Sequence, residues 1–294
     1  MARRPAQISK LFVPTGGGLG DVVRVYFKEE PHWGYLKSIK ELYPDTKIKI
    51  LSSCHTPQVE EFFKHNPYID KFQEFGWIVD GNPLVQRYRQ GHLHISNAIK
   101  HYGNSIKWEQ PVLHVSKEDI DIVNEIVTNS NGIITMHPFA IRSAMPIDEF
   151  HHMTNRLIDE FGYTVVYLGA TYNRYHNLNL EPSFTFGGDM IEESDFERPG
   201  LFNLLNKSNC RVGYRLIEIC DGFIGHCSCF NIAAWIHAKK SVVFSPPDQR
   251  PLLSTHRSYA WPLIDHLPWC KNFYSDEWIS PRDAANHTVE FFRR

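Results

Sequence analysis

No stretch of this chain approaches the roughly 18–20 consecutive apolar residues that span a bilayer. The N-terminal Ala-Arg-Arg segment has no apolar run behind it long enough for a signal peptide. Neither membrane insertion nor export is expected. Cysteine is sparse. The six residues Cys54, Cys210, Cys220, Cys227, Cys229 and Cys270 are scattered over 294 positions, which argues against a disulfide framework and for reduced thiols in the cytoplasm. Cys227-Ser-Cys229 has no second Cys/His pair at ligand spacing, so no metal site is expected there. The net charge of only −2 gives no global pull toward nucleic acid or a membrane surface, while leaving room for a local basic patch. Two phosphate signatures are also missing: no Gly-x-Gly-x-x-Gly follows a strand, and no Gly-Lys-Ser/Thr closes a P-loop. What remains is ordinary for a soluble globular protein, with 42% hydrophobic and 22% charged residues. The length allows one large domain or two medium ones.

Against that background, residues 13–27 stand out. Leu11–Val13 reads as a short buried strand and Val22–Phe27 can open a helix. Gly16, Gly17, Gly18 and Gly20 lie between them, where a tight turn or a close approach to a ligand needs residues without Cβ. A strand, a glycine turn and a helix N-terminus together favour an anion, because unpaired N–H groups and the helix dipole both attract negative charge. Asp21 falls in the first helical turn. There it can cap free N–H groups or project its carboxylate toward a ligand.

Further along, strands and helices alternate. Strands are expected at Lys47–Leu51, Lys71–Phe75, Ile133–Met136, Val165–Leu168, Gly222–Gly225 and Ser241–Phe244. Helices are expected at Tyr35–Leu42, Gln58–Lys64, Glu118–Thr128 with Ser116 as N-cap, Ile147–Phe161 closed by Gly162, Arg215–Cys220 and Asn231–His237. Residues 76–110 lack clear periodicity and read as loops and short helices. Repeated βα units imply parallel sheets flanked by helices, and the restart after Asn129-Ser-Asn-Gly implies two of them. Ligands of such sheets bind beyond the carboxyl ends of the strands.

These residues resemble a known family. Gly16-Gly-Gly-Leu-Gly-Asp21 is similar to the N-terminal signature of glycosyltransferase family 9, the ADP-heptose:lipopolysaccharide heptosyltransferases. Met136-His-Pro-Phe-Ala140 followed by Met145-Pro-Ile-Asp-Glu-Phe150 resembles that family's strand, His-Pro-Gly-Ala turn, Trp-Pro and helix. Cys220-Asp-Gly-Phe-Ile-Gly-His-Cys-Ser-Cys-Phe-Asn-Ile-Ala-Ala-Trp235 resembles its later Asp-Ser/Thr-Gly turn and His-containing helix, and Ser241–Pro247 the strand and phosphate-side loop that follow. The resemblance implies an α/β chain with a GT-B fold: two Rossmann-like parallel-sheet domains facing an interdomain cleft. It implies an acceptor-side domain over 1–130, a nucleotide-sugar-binding domain over 131–280, and a C-terminal helix over 281–294 packing back on the first domain. Departures are evident too. His226 stands where the family carries an Asp, Ser228 at its Gly and Asn231 at its helix His. Ser143, beside Arg142, takes the place of the Lys before Trp-Pro, and Met145 that of the Trp.

The implied reaction is inverting, metal-independent transfer of a hexosyl, heptosyl or pentosyl group from an ADP- or UDP-sugar to a hydroxyl of a glycan, lipopolysaccharide-like or lipid-linked acceptor. No cofactor beyond the nucleotide sugar is implied. Such chemistry needs a base near the acceptor hydroxyl and positive or hydrogen-bonding groups at the departing diphosphate. Asp21 is the resemblance's choice for the base, with helix capping as the alternative. Gly18, Gly20, His137, Arg142, His226, Cys227, Ser228 and Asn231 are candidates for the donor phosphates. Arg142 suits bidentate contact, and Ser228 is equally a plain N-cap. Ala233 and Ala234 read as packing residues. Arg87, Arg89 and His94 are candidate acceptor-side residues, and with His92, Lys100, His101 and Lys107 they form a basic cluster. That cluster keeps duplex DNA open as an alternative acceptor, through a phage-type transferase acting on a hydroxymethylated base. A solvated basic face is its plainer meaning. The altered motif around His226 keeps a non-catalytic nucleotide-sugar-binding module open as well.

Overall fold

A computed structural model of the protein describes residues 5–15, 19–24, 26–27, 31–52, 57–74, 92–140, 144–169, 197–226, 228–245 and 268–293. The chain divides into two compact units, Met1–His114 and Val115–Arg294.

In the first unit the order is β1 (Lys10–Thr15), α1 (Leu19–Arg24), a 3-10 turn over Pro31–Tyr35, α2 (Leu36–Leu42), β2 (Lys47–Ser52), α3 (Pro57–Phe63), β3 (Lys71–Glu74), β4 (Leu93–His94) and α4 (Ile95–Tyr102). The strands are arranged β3-β2-β1-β4, and every pairing is parallel. β1 is central, so Leu11, Phe12 and Val13 are buried on both faces, as a continuous apolar run in a parallel sheet requires. Around them pack Ile48, Ile50, Val59, Phe62, Ile95, Ala98 and Tyr102. Beside this core lies an aromatic group in which Tyr26 meets Trp33, Phe62 and Phe63 edge-on. The Tyr26 hydroxyl donates to the Val112 carbonyl, which fastens the strandless end of the unit.

The second unit runs α5 (Lys117–Thr128), β5 (Ile133–His137), α6 (Ile147–Asp159), β6 (Thr164–Tyr167), β7 (Leu201–Asn203), α7 (Cys210–Ile219), β8 (Gly222–His226), α8 (Cys229–Ile236), β9 (Lys240–Ser245), β10 (Cys270–Tyr274) and α9 (Pro281–Phe291). Its six strands are ordered β10-β9-β8-β5-β6-β7, again all parallel. Read from the other edge, the third, second and first strands are followed by the fourth, fifth and sixth. This is the doubly wound dinucleotide-domain order, whose winding reverses between its first and fourth strands. Here those are β5 and β8. One face is covered by α6 and α9, whose Phe150, Met153, Leu157, Ala284, Ala285, Val289 and Phe292 share a core with Ile134, Met136, Val165, Tyr167, Ile224, Val242 and Phe244. The other face carries α7 and α8, with α5 packed on α7.

Two α/β units with parallel sheets agree with the expected fold class. The details of the division differ. The boundary falls at 114/115 rather than at 130/131, because α5 is held to α7 by a buried ion pair. Arg211 Nε donates to Asp119 Oδ2 at 2.8 Å, both side chains being 4% exposed. The same carboxylate accepts from Asn209 Nδ2 at 2.6 Å and from the Ser116 N–H at 3.0 Å. Burial would raise the Asp119 carboxyl, but the hydrogen bonds from Arg211, Asn209 and Ser116 outweigh it and hold it at about 2. The C-terminal helix also has its own place: α9 packs on α6 within the second unit's core, through the small side chains of Ala284 and Ala285.

Breaking this clasp leaves an uncompensated buried guanidinium. Asp119→Asn should therefore cost the second unit about 3–5 kcal/mol, the usual penalty for removing one partner of a buried pair. Denaturant unfolding of the full chain measures it, and a loss below about 1 kcal/mol, the surface-pair range, would show the pair to be dispensable.

Candidate functional site

Both sheets reverse their winding beside their first strand. In the first unit the reversal lies between β1 and β4, and β1 leads through residues 16–18 into α1. Gly20 and Asp21 belong to α1, and the Asp21 side chain lies outside the described residues. Gly18, Arg87 and Arg89 lie outside them as well, as do Arg142 and Cys227. His94 is described, and it serves the fold. It is the N-cap of α4, its Nδ1 accepting the Ser96 N–H at 3.1 Å, with its ring edge-on to Phe12. His101 Nε2 lies 2.9 Å from the Ala6 carbonyl. These two members of the expected basic cluster are thus committed to local contacts.

In the second unit the reversal point gathers four of the expected residues. His137 ends β5 and is in register with Gly225 of β8, while His226 ends β8 opposite Phe244 of β9. Ser228 and Asn231 then open α8. The Ser228 hydroxyl accepts the Phe230 N–H at 3.2 Å, and Asn231 Oδ1 accepts the Ser228 N–H at 2.6 Å. This is a reciprocal capping box, with Asn in the place usually taken by Glu or Gln. Ser228 therefore has the plain N-cap role that was its alternative. Ala233 and Ala234 are fully buried, as packing residues should be.

His137 is clamped from two sides. Its ring meets Phe230 edge-on with centroids 5.0 Å apart. Gly169, just after β6, has φ +106°, and a Cβ there would lie 2.6 Å from His137 Cδ2 and 2.7 Å from Nε2. Only glycine fits, by both backbone and space. Gly169 and Phe230 were not singled out from the sequence, since a lone glycine after a strand and a lone aromatic in a helix are commonplace. His226 is fully buried, between Phe150 at 5.4 Å and Phe244 at 6.3 Å. Its Nδ1 accepts the Ala144 N–H at 3.2 Å, so the neutral ring carries its proton on Nε2. A residue expected to donate to a diphosphate is here buried and engaged with the chain itself.

Among the described residues, two buried nitrogens at this reversal point have no hydrogen-bond partner, His137 Nδ1 and Asn231 Nδ2. Buried polar atoms without partners are uncommon, and each calls for a ligand, a water or a functional reason. Burial keeps the two histidines of this place uncharged. Burial, and secondarily the neighbouring His226, lowers His137 from 6.5 to about 3. Burial lowers His226 to about 4 against a smaller upward pull from the backbone of Phe244, Pro138 and Met145. At neutral pH both rings are uncharged hydrogen-bonding groups. Among the described residues no group of three or more His, Cys, Asp or Glu side chains is arranged to hold a metal ion, and no helix is long and apolar enough to cross a membrane.

Comparison with solved structures finds the same architecture elsewhere. A family 9 glycosyl transferase from Veillonella parvula is similar over 94% of this chain and 89% of its own, with TM-score 0.50 and 10% identity. ADP-heptose LPS heptosyltransferase II from E. coli is similar over 96% of this chain and 98% of its own, with TM-score 0.52 and 13% identity. The fold is that of the family 9 glycosyltransferases. No family model matches the sequence, and no curated protein does. The likeness thus lies in backbone architecture, and it includes the expected resemblance over nearly the whole chain.

The depressed histidines make stability pH-dependent. Each has a folded value below its unfolded value of 6.5, so the unfolded chain binds more protons and stability falls as pH drops through 6.5 toward 4. Between pH 7 and pH 5, His137 alone should withdraw about 2 kcal/mol. His137→Gln, which cannot titrate, should lose that much less between the two pH values in denaturant unfolding. An identical pH dependence in the variant and the wild type would show that His137 is not buried in neutral form.

Proposed function

We propose that the protein is an inverting glycosyltransferase that moves a sugar from a nucleotide-diphosphate donor to a hydroxyl of a glycan-type acceptor, without a metal. One observation carries this reading: in a chain with the family 9 fold, His137 Nδ1 and Asn231 Nδ2, buried and without a partner among the described residues, lie together at the reversal point of the second sheet. That is where doubly wound sheets bind their nucleotides. One solved structure of this fold is named for ADP-heptose and lipopolysaccharide. An ADP-sugar and a surface-glycan acceptor are accordingly the first donor and acceptor to test, with a UDP-sugar next.

In this proposal the acceptor hydroxyl attacks the anomeric carbon, the bond from that carbon to the diphosphate oxygen breaks, and the diphosphate leaves with the electron pair. Asp21 takes the hydroxyl proton. The departing charge is met by His137, Asn231, the opening of α8, and Arg142 as the cationic partner, replacing metal charge with hydrogen bonds and a guanidinium. The neutral His137 imidazole suits this role, because its N–H can donate to a phosphate oxygen while burial leaves its other nitrogen too weakly basic to compete for the proton that Asp21 takes.

Asp21→Asn should reduce transfer by about 10²–10⁴, the usual cost of losing a general base, while nucleotide affinity stays unchanged. Were Asp21 only a helix cap, Asn would serve almost as well, and full turnover in that variant would remove it from the chemistry. Arg142→Ala should weaken nucleoside diphosphate binding by about 1.5–3 kcal/mol, the range for hydrogen bonds to charged groups. A thermal-shift series with ADP, UDP and their sugars reads this directly, since a ligand of the native state alone raises the melting temperature. No shift with any of them would leave the glycosyltransferase reading without support.

A further inference from the structure

The segment between β5 and α6 is anchored at both ends. Phe139 and Ala140 are buried on the strand side, and Met145 is buried on the helix side. One side chain from a different element reaches it with a hydrogen bond: His226, at the end of β8, accepts the Ala144 N–H. The ring of His226 spans a distinctive place. It pairs in register with β9 through Phe244, packs on α6 through Phe150, and joins β8 to the segment that follows β5. The surroundings are aromatic and apolar, so packing alone would be met by phenylalanine. An imidazole differs from phenylalanine here in its hydrogen-bonding nitrogens, of which Nδ1 is the acceptor for the Ala144 N–H. Without it the Ala144 N–H, just ahead of the helix N-cap at Pro146, would lose its partner. The two strand ends that flank the winding reversal are those of β5 and β8, so this single bond fixes one side of the reversal point to the other.

We propose that His226 is a positioning residue: by accepting the Ala144 N–H it fixes the β5–α6 segment at the reversal point, and it thereby sets affinity for the donor diphosphate without touching it. This rests on the reading of that place as the donor site. It separates His226 from the residues that would contact the ligand and explains how a fully buried side chain can govern binding. It also gives a physical sense to histidine at a position where the resembling family carries an acid. A buried carboxylate would need its own charge compensation, whereas neutral Nδ1 accepts an N–H at no such cost.

The test separates the acceptor from the volume. His226→Phe fills the space and lacks the acceptor, while His226→Asn places Oδ1 where Nδ1 sits and gives up part of the packing. Amide hydrogen exchange at Ala144 and equilibrium binding of ADP and UDP to the full chain are read for each, with donor KM and kcat alongside. His226→Phe should speed exchange at Ala144 and weaken binding of the preferred nucleotide about tenfold, as expected for one lost hydrogen bond acting through the segment. KM should rise with kcat largely retained, and His226→Asn should recover both exchange protection and affinity. A folded His226→Phe that binds nucleotide within about twofold of wild type, a change too small for a lost hydrogen bond, would overturn the proposal. Should His226→Phe not fold, His226→Asn decides alone: affinity near the wild-type value supports the acceptor role, and a loss as large as tenfold contradicts it. A wild-type chain that binds neither ADP nor UDP would instead reject the donor-site reading itself, and the role of His226 with it.

Discussion

The parallel pairing of β5 with β8 is the constraint on which the second unit depends. On one side of this pair the chain winds outward from β5 to β6 over α6, on the other from β8 to β9 over α8, and α7 is the crossover from β7 to β8. The two connections therefore leave on opposite faces and cannot close over the carboxyl ends between them. Every residue of β5 and β8 is buried, so the pair is held by apolar burial on both faces rather than by anything at its ends. The ends are left to chemistry. That is how His137 and His226 come to neighbour one another without either being needed to hold the sheet.

Placing two imidazoles there has a consequence for charge. Both rings are desolvated, and His226 further disfavours protonation of His137. In the proposed reading, His137 and Asn231 are the neutral groups that meet the diphosphate, with cationic character coming from Arg142. The capping box at Ser228 and Asn231 acts in the same sense. It satisfies the Ser228 and Phe230 N–H groups from within the chain, while Asn231 Nδ2 has no partner among the described residues. Gly169 and Phe230 then hold the His137 ring in one orientation, so its nitrogens are ordered in advance of any ligand.

How much of this could be read in the sequence follows from where burial is one-dimensional. The central strands were legible because both faces are covered and the residues run apolar without a break: β1, β2, β5, β6, β8 and β9 fall within a residue or two of their expected positions. Of the edge strands only β3 was, at Lys71–Glu74 against the expected Lys71–Phe75. β4 has two residues, β7 is half-exposed throughout, and β10 alternates irregularly, so none carries a periodic signal. Helix starts with cap chemistry were also legible, as at Ser116. The unit boundary was misplaced because Asn129-Ser-Asn-Gly is a true turn that lies inside the second unit. The bond that makes it so joins Asp119 to Arg211 across 92 residues, and no local pattern announces it. Motif order singled out His137, His226, Ser228 and Asn231, but not which of them the fold engages internally, as it does His226 and Ser228. Whether an imidazole faces a ligand or the chain depends on burial, which is a property of the fold.

The central claim is that the carboxyl ends of β5 and β8 hold a nucleoside diphosphate. Amide hydrogen exchange along the full chain, with and without saturating ADP or UDP, tests it most directly, because it localises the ligand without assuming any residue's role. The account predicts new protection concentrated in residues 137–146 and 226–232, with the amino ends of the same strands unchanged. Protection confined to the opposite ends of those strands, around residues 129–133 and 219–222, or absent from the second unit altogether, would contradict it.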